Sequence, residues 1–142
     1  MAVWQDLLHE GNRSFDNNDY LQAEFYFQQA QVCLDELWMQ DGKNSRLLTA
    51  WINASHNLAN LFESQGNPEL ALSYLQLPHQ RVLAISQDQD YDQDMRLIAQ
   101  SALRLTLKAL LEFTQKYPIC LNCLKQLTDL QVQLYQSRCD LH

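Results

Sequence analysis

Few residues in this sequence interrupt helices. Only three glycines and three prolines occur among its 142 residues. Because both residue types mark turns, their scarcity favours long helices over a β architecture with many turns. Basic residues are also few, since ten Lys and Arg stand against seventeen Asp and Glu and form no run. A nucleic-acid-binding surface normally has a basic face, so we expect no nucleic-acid partner.

Long apolar runs are missing as well. No stretch approaches the roughly 20 apolar residues that a membrane-spanning helix needs, so we expect no membrane partner. Residues 1–12 contain Asp and Glu and lack the basic start of a secretory signal. These absences predict a cytoplasmic protein, in which the four cysteines stay reduced.

The sequence also lacks the motifs of common enzymes. It contains no H-E-x-x-H pair, no Gly-rich phosphate loop and no nucleophile elbow. The aspartates between residues 88 and 94 lack the central Gly and the terminal Glu of a calcium loop. We therefore expect no enzymatic activity and no cofactor.

Apolar residues instead recur at helical spacing. Six helical segments in three pairs predict an all-α domain over residues 1–142, with hairpins at about 2–40, 44–86 and 91–138. Asp19 is predicted to cap the second segment, and a polar linker at 87–94 precedes the fifth, which starts at Met95. Pro78 interrupts the fourth segment, where the helix either kinks or ends.

Two stretches of the chain resemble each other. Gly11 and Ala23 enclose one polar turn, and Ala59 and Ala71 enclose another. The small residues of each pair are 12 positions apart, and the second pair follows the first by 48 positions. Small residues at such positions let antiparallel helices approach closely, while large residues fill the gaps between one hairpin and the next.

This pattern resembles the tetratricopeptide repeat (TPR), and the chain is most similar to small uncharacterised bacterial TPR-like proteins. The matching residues are Leu7, Gly11, Asn18, Tyr20, Ala23, Phe27 and Ala30 in the first unit, and Leu58, Ala59, Phe62, Gly66, Pro68, Ala71 and Leu75 in the second. The resemblance implies three antiparallel hairpins stacked as a short right-handed superhelix. The repeat distance of 48 departs from the usual length of about 34 residues, and the third hairpin lacks the signature.

The resemblance also implies a binding site, because the first helices of TPR hairpins line a groove that receives a partner peptide. Carried over to this chain, the groove residues are Gln5, Leu8, His9, Asn12, Phe15, Asn53, His56, Asn57, Asn60 and Glu63. Asparagine amides can both donate to and accept from an extended backbone, although the same positions also suit an ordinary solvated face. Asn12 and Asn57 match the carboxylate-clamp TPR domains, but Leu8 stands at the clamp's lysine position, which argues against that ligand.

The C-terminal segment has the spacing of a zinc site. The candidate ligands, in a Cys₃His pattern, are Cys120, Cys123, Cys139 and His142. The residues between the two pairs read as uninterrupted helix, which separates the pairs by about 24 Å. One zinc ion cannot bridge that distance, so we expect no bound metal and cysteines that pack as small apolar residues. A thiol-redox role for Cys120 and Cys123 stays open, since a helix N-terminus lowers the pKa of a thiol.

Taken together, these observations predict a non-enzymatic module that binds a peptide or a helix of a partner protein. An alternative is a homo-oligomeric scaffold, such as a homodimer, because three hairpins with an apolar last helix leave little room for a polar cap. A zinc or thiol-redox protein that uses the C-terminal cysteines is the less favoured alternative.

Overall fold

The structure is a computed structural model that describes residues 3–117. Within that range it contains α-helices and no strand, as the sequence predicts. The helices are α1 (Val3–Asp16), α2 (Tyr20–Gln40), α3 (Ser45–Ser64), α4 (Pro68–Gln87) and α5 (Gln93–Lys116). No helix in this part of the chain is long and apolar enough to cross a membrane.

Gly11 lets α1 and α2 approach closely. A Cβ placed on Gly11 would lie 2.5 Å from Cε1 of Phe27, so only a glycine fits against this ring. Phe27 is 1% exposed, and Ala23 and Ala30 on the same face of α2 are fully buried. The small residues predicted at the crossing of the first hairpin therefore lie in its core.

The turns that end α1 and α3 have the same backbone geometry. Each contains one residue with a left-handed backbone, Asn18 with φ 62° and Gly66 with φ 76°. Each also contains the two N–H···O=C hydrogen bonds of a Schellman helix end. They run from Asn18 to Phe15 (3.0 Å) and from Asp19 to Ser14 (2.8 Å) in the first turn, and from Gly66 to Glu63 (3.0 Å) and from Asn67 to Phe62 (2.8 Å) in the second.

The starts of the following helices match as well. The carboxylate of Asp19 accepts from the N–H of Gln22 at 3.4 Å, and the amide oxygen of Asn67 accepts from the N–H of Leu70 at 3.3 Å. Both are N-caps that satisfy a free N–H in the first turn of a helix. Helix end, turn and cap therefore all recur at a spacing of 48 residues, so the repeat is present in the backbone as well as in the sequence.

A buried polar contact joins α2 to α3. The side-chain amide of Gln31 donates to the hydroxyl of Ser55 at 2.6 Å, and that hydroxyl donates to the carbonyl of Trp51 at 3.0 Å. Ser55 is fully buried. Since a buried polar group without a partner is costly, this chain of hydrogen bonds favours one register between the two helices.

The chain separates into two compact units between Pro78 and His79, within α4. The helix continues through Pro78 to Gln87, so the proline does not end it. Proline has no N–H, and the carbonyl of Tyr74 therefore lacks its usual helical donor. The predicted single domain over residues 1–142 stays a prediction.

The second unit begins with a buried histidine. Nδ1 of His79, which is 1% exposed, lies 2.7 Å from Oγ1 of Thr106. The Thr106 hydroxyl donates its one proton to the carbonyl of Leu103 at 3.1 Å. We therefore assign the proton of the imidazole to Nδ1, which donates to Thr106 and leaves Nε2 as a buried acceptor.

Helix α5 starts at Gln93, two residues before the predicted Met95. The reason is Asp92, whose carboxylate accepts from the N–H of Met95 at 2.8 Å and so caps the helix earlier. The second helix of the third predicted hairpin lies outside the described residues. The stacking of three hairpins into a right-handed superhelix thus stays a prediction.

Candidate partner-binding groove

An open pocket of about 330 Å³ lies between α1 and α3. Its lining consists of Trp4 and Leu8 from α1 and of Ser45, Arg46, Thr49, Ala50 and Asn53 from α3. Both groups come from the N-terminal halves of their helices. The two first helices of the repeated hairpins therefore approach each other there, near their N-terminal ends.

The pocket combines an apolar wall with a polar rim. Trp4, Leu8 and Ala50 supply the apolar surface, while Arg46 and Asn53 supply charged and amide groups. This mixture suits one apolar side chain of a ligand together with the polar backbone on either side of it, because pockets of this kind use a few polar groups to orient an apolar ligand.

The cap of α3 sets the position of the basic residue in this pocket. The amide oxygen of Asn44 accepts from the N–H of Arg46 at 3.0 Å and fixes the first turn of the helix. The hydroxyl of Thr49 donates to the carbonyl of Ser45 at 3.0 Å, so its proton is used within the helix. Thr49 can therefore serve a ligand as an acceptor, whereas Arg46 is a donor with a positive charge.

All exposed residues of α3 lie in one narrow stripe. Eleven residues of this helix are buried. The exposed residues, which we call the α3 polar stripe, are Arg46, Thr49, Asn53, Asn60 and Ser64. At about 100° per residue they fall within about 60° of one another. Helix α3 is thus enclosed on nearly all sides and offers a single polar strip to a ligand.

The predicted groove residues divide between exposed and half-buried positions. The exposed residues are Gln5, His9, Asn12, Asn53 and Asn60. The half-buried residues are Leu8, Phe15, His56, Asn57 and Glu63. Of these ten, Leu8 and Asn53 line the pocket. The function of the whole set as a groove stays a prediction.

Sequence reasoning missed most of the pocket because the two first helices differ in length. With a spacing of 48, the start of α1 at Val3 corresponds to Trp51, whereas α3 begins six residues earlier at Ser45. Arg46 and Thr49 therefore have no counterpart in α1, and a comparison of the two units could not find them. The helical spacing of Arg46, Thr49 and Asn53 was the available signal.

His56 lies at the edge of the α3 polar stripe and is half-buried. Burial lowers the pKa of its imidazole, because desolvation disfavours the charged form. Its Nε2 atom is buried and has no hydrogen-bond partner among the described residues. The ring is therefore neutral near pH 7 and contributes packing and polarity at the edge of the stripe, without a charge.

The residues that the structure describes contain no cluster of three His, Cys, Asp or Glu side chains that could hold a metal ion. Cys33 is a half-buried free thiol of α2. The predicted zinc or redox residues Cys120, Cys123, Cys139 and His142 lie outside the described residues.

These features define a class, a protein whose described residues form α-helices, with a helix–turn–helix that repeats and an open pocket between α1 and α3. The chain belongs to the family described as protein of unknown function (DUF2753), whose model matches residues 2–142. A search of curated proteins and a search of solved structures each gave no significant match.

Proposed function

We propose that this chain is a TPR-like, non-enzymatic interaction module of the cytoplasm, which binds a peptide or a helix of a partner protein across α1 and α3. The observation that carries the proposal is the pocket of about 330 Å³ between the first helices of the two repeated hairpins. Its apolar wall can bury one anchor side chain, which is how most binding energy is concentrated in protein interfaces.

The α3 polar stripe supports an extended ligand in preference to a compact one. The stripe continues from the pocket along the helix to Asn60 and Ser64. A segment that runs along it meets amides and hydroxyls, which can pair with both the N–H and the C=O groups of a backbone. The anchor would then define the position of the ligand, and the stripe its direction.

The test starts from peptides selected from a displayed random library against the intact protein, with affinities measured by fluorescence anisotropy. Asn53→Arg places a longer, charged side chain in the pocket, and we expect about tenfold weaker binding, equal to a loss of about 1.4 kcal/mol. Ser73→Arg adds the same side chain at an exposed position of α4 and serves as the matched control. Circular dichroism verifies that both variants fold.

Two results would overturn the proposal. One is a selection that yields no peptide with measurable affinity. The other is a set of peptides that bind the Asn53→Arg variant as tightly as they bind the unaltered protein, because such peptides occupy another surface.

A further inference from the structure

Helix α2 has apolar residues on two opposite faces. Its inner face is in the core and consists of Ala23, Phe27, Ala30 and Leu34, all at most 1% exposed. The opposite face carries Leu21, Phe25, Val32 and Met39, which are 77%, 57%, 52% and 86% exposed. At about 100° per residue these four lie within about 40° of one another and about 180° from the inner face. We call them the α2 outer stripe.

The spacing of the α2 outer stripe is that of a two-helix seam. Phe25, Val32 and Met39 follow one another at intervals of seven residues, and Leu21 precedes Phe25 by four. In a heptad repeat, through which one helix packs along another, the first three occupy successive a positions and Leu21 a d position, while the later d positions hold the polar residues Gln28 and Asp35. Single exposed apolar residues are common on protein surfaces, but four of them aligned on one face of a helix form a candidate interaction surface.

The charges beside the α2 outer stripe have one sign. The helix contains Glu24, Asp35 and Glu36 and no Lys or Arg. In the same heptad frame Glu24 occupies a g position and Glu36 an e position, so a carboxylate lies on each side of the stripe. Charges at e and g positions determine which helix can pair with a seam.

From this arrangement we propose that the α2 outer stripe binds an amphipathic helix of another protein, whose apolar a and d residues are flanked by Lys or Arg. A second copy of this chain would bring the same carboxylates and no base on its own stripe. Each chain also has a net charge of −7, which adds repulsion between copies. The carboxylates likewise disfavour an anionic lipid surface. This site is separate from the groove of α1 and α3 and does not depend on the function proposed for it.

Two synthetic heptad peptides test the proposal, both with Leu and Ile at the a and d positions, one with Lys and one with Glu at the e and g positions. Binding to the intact chain is measured by fluorescence anisotropy at low and high salt. We expect the Lys-flanked peptide to bind at least about tenfold more tightly than the Glu-flanked one, with a difference that shrinks as salt rises.

Three variants locate the binding. Phe25→Ser with Val32→Ser removes the centre of the seam, and we expect at least about tenfold weaker binding of the Lys-flanked peptide. Glu24→Lys with Glu36→Lys should reverse the preference between the two peptides. Gln40→Ser, at an exposed position of the same helix outside the stripe, is the matched control and should leave both affinities unchanged. All substituted residues are exposed or half-buried, and thermal melts verify that the fold is kept.

Several outcomes would overturn the proposal. Equal affinity for the two peptides contradicts the proposed preference for Lys or Arg. Binding of the Lys-flanked peptide that survives Phe25→Ser with Val32→Ser contradicts the proposed location on α2. Binding that is lost in the Asn53→Arg variant alone places the peptide in the groove. If the unaltered protein forms a dimer in sedimentation velocity and the variant with Phe25→Ser and Val32→Ser is a monomer, the occupant of the stripe is a second copy of the chain. Phe25-dependent binding to phosphatidylglycerol vesicles identifies a lipid surface.

Discussion

Gly11 and Phe27 form a pair whose sizes must match, and the second repeat has a larger residue at the first of these positions and a smaller one at the second. A Cβ on Gly11 would lie 2.5 Å from Cε1 and 2.6 Å from Cδ1 of Phe27. Carbon atoms in contact prefer about 3.5–4.0 Å, so a methyl group here forces the ring to withdraw by about 1 Å. The ring is 1% exposed, and close-packed protein interiors leave little room for such a shift.

The expected effect of Gly11→Ala is the difference of two terms. Overpacking of a core costs about 1–3 kcal/mol, and the upper part of that range applies to a contact this short. Alanine favours the helix over glycine by about 1 kcal/mol. We therefore expect Gly11→Ala to lower the free energy of unfolding by about 1–2 kcal/mol, although the same change stabilises an exposed helix.

The second repeat has Ala59 and Leu75 at the positions 48 residues after Gly11 and Phe27. Phe27→Leu alone removes buried ring atoms and should lower the free energy of unfolding by about 1–2 kcal/mol. In the double variant, Gly11→Ala with Phe27→Leu, the new methyl group occupies space that the ring has left. We expect the double variant to be more stable, by about 1–2 kcal/mol, than the sum of the two single effects predicts.

Urea unfolding followed by far-UV circular dichroism measures all four proteins of this cycle. Gly42→Ala is the matched control, because a Cβ there would lie 3.4 Å from its nearest neighbour, the Trp38 carbonyl oxygen. We expect the control to change stability by less than about 1 kcal/mol. A Gly11→Ala protein more stable than the parent, or a cycle that is additive within about 0.5 kcal/mol, would refute the reasoning.

Three further predictions concern single contacts. Burial lowers the pKa of His79 from 6.5 to about 4, so the unfolded chain takes up a proton at a higher pH than the folded one. The contribution of neutral His79 to the free energy of unfolding should be fully present above pH 6.5. It should be lost towards pH 4, which lowers the free energy of unfolding by about 2 kcal/mol, because partial screening reduces the value of about 3 kcal/mol that the full pKa shift would give. Urea unfolding across this range should show a shallower fall for His79→Asn, and an unchanged slope would contradict the assignment. Ser55→Ala leaves the Gln31 amide without its acceptor and should lower the free energy of unfolding by about 1–2 kcal/mol. The pair Ser55→Ala with Gln31→Leu should recover part of that loss in the same assay, and a neutral Ser55→Ala would show that the contact does not matter. Gly66→Ala should lower the melting temperature, with a loss of about 1 kcal/mol from the left-handed backbone alone, because no atom lies within 4 Å of the added Cβ. Asn18→Gly should be neutral or slightly stabilising in the same melts, and equal responses at the two turns would contradict this account.

Local chemistry made the helices and the turns predictable. The predicted cap at Asp19 is present, and α2 begins at Tyr20, as expected from the polar break before it. The two turns recur at the predicted spacing because Asn18 and Gly66 both tolerate a left-handed backbone. Each of these features depends on hydrogen bonds between residues at most five positions apart, so a short stretch of sequence contains all the participants.

The candidate site was less predictable, because it forms between helices. Leu8 and Asn53 were found from the repeat, but Trp4, Arg46 and Thr49 line the pocket only because α1 and α3 approach each other there. The sequence does contain the spacing of the α3 polar stripe. It does not show which neighbouring helix lies beside that stripe.

The amino-acid sequence by itself thus determined the helices, their caps and the 48-residue repeat, since these follow from local propensities and hydrogen bonds. Tertiary structure alone decided that the second apolar face of α2, the α2 outer stripe, is left uncovered by the other helices of the described chain. Both faces have helical periodicity, and only the inner one carries the small residues that admit a neighbouring helix. Close packing against α1 and α3 buried that face and left the α2 outer stripe exposed, because burial depends on the shape of the partner surface as well as on hydrophobicity.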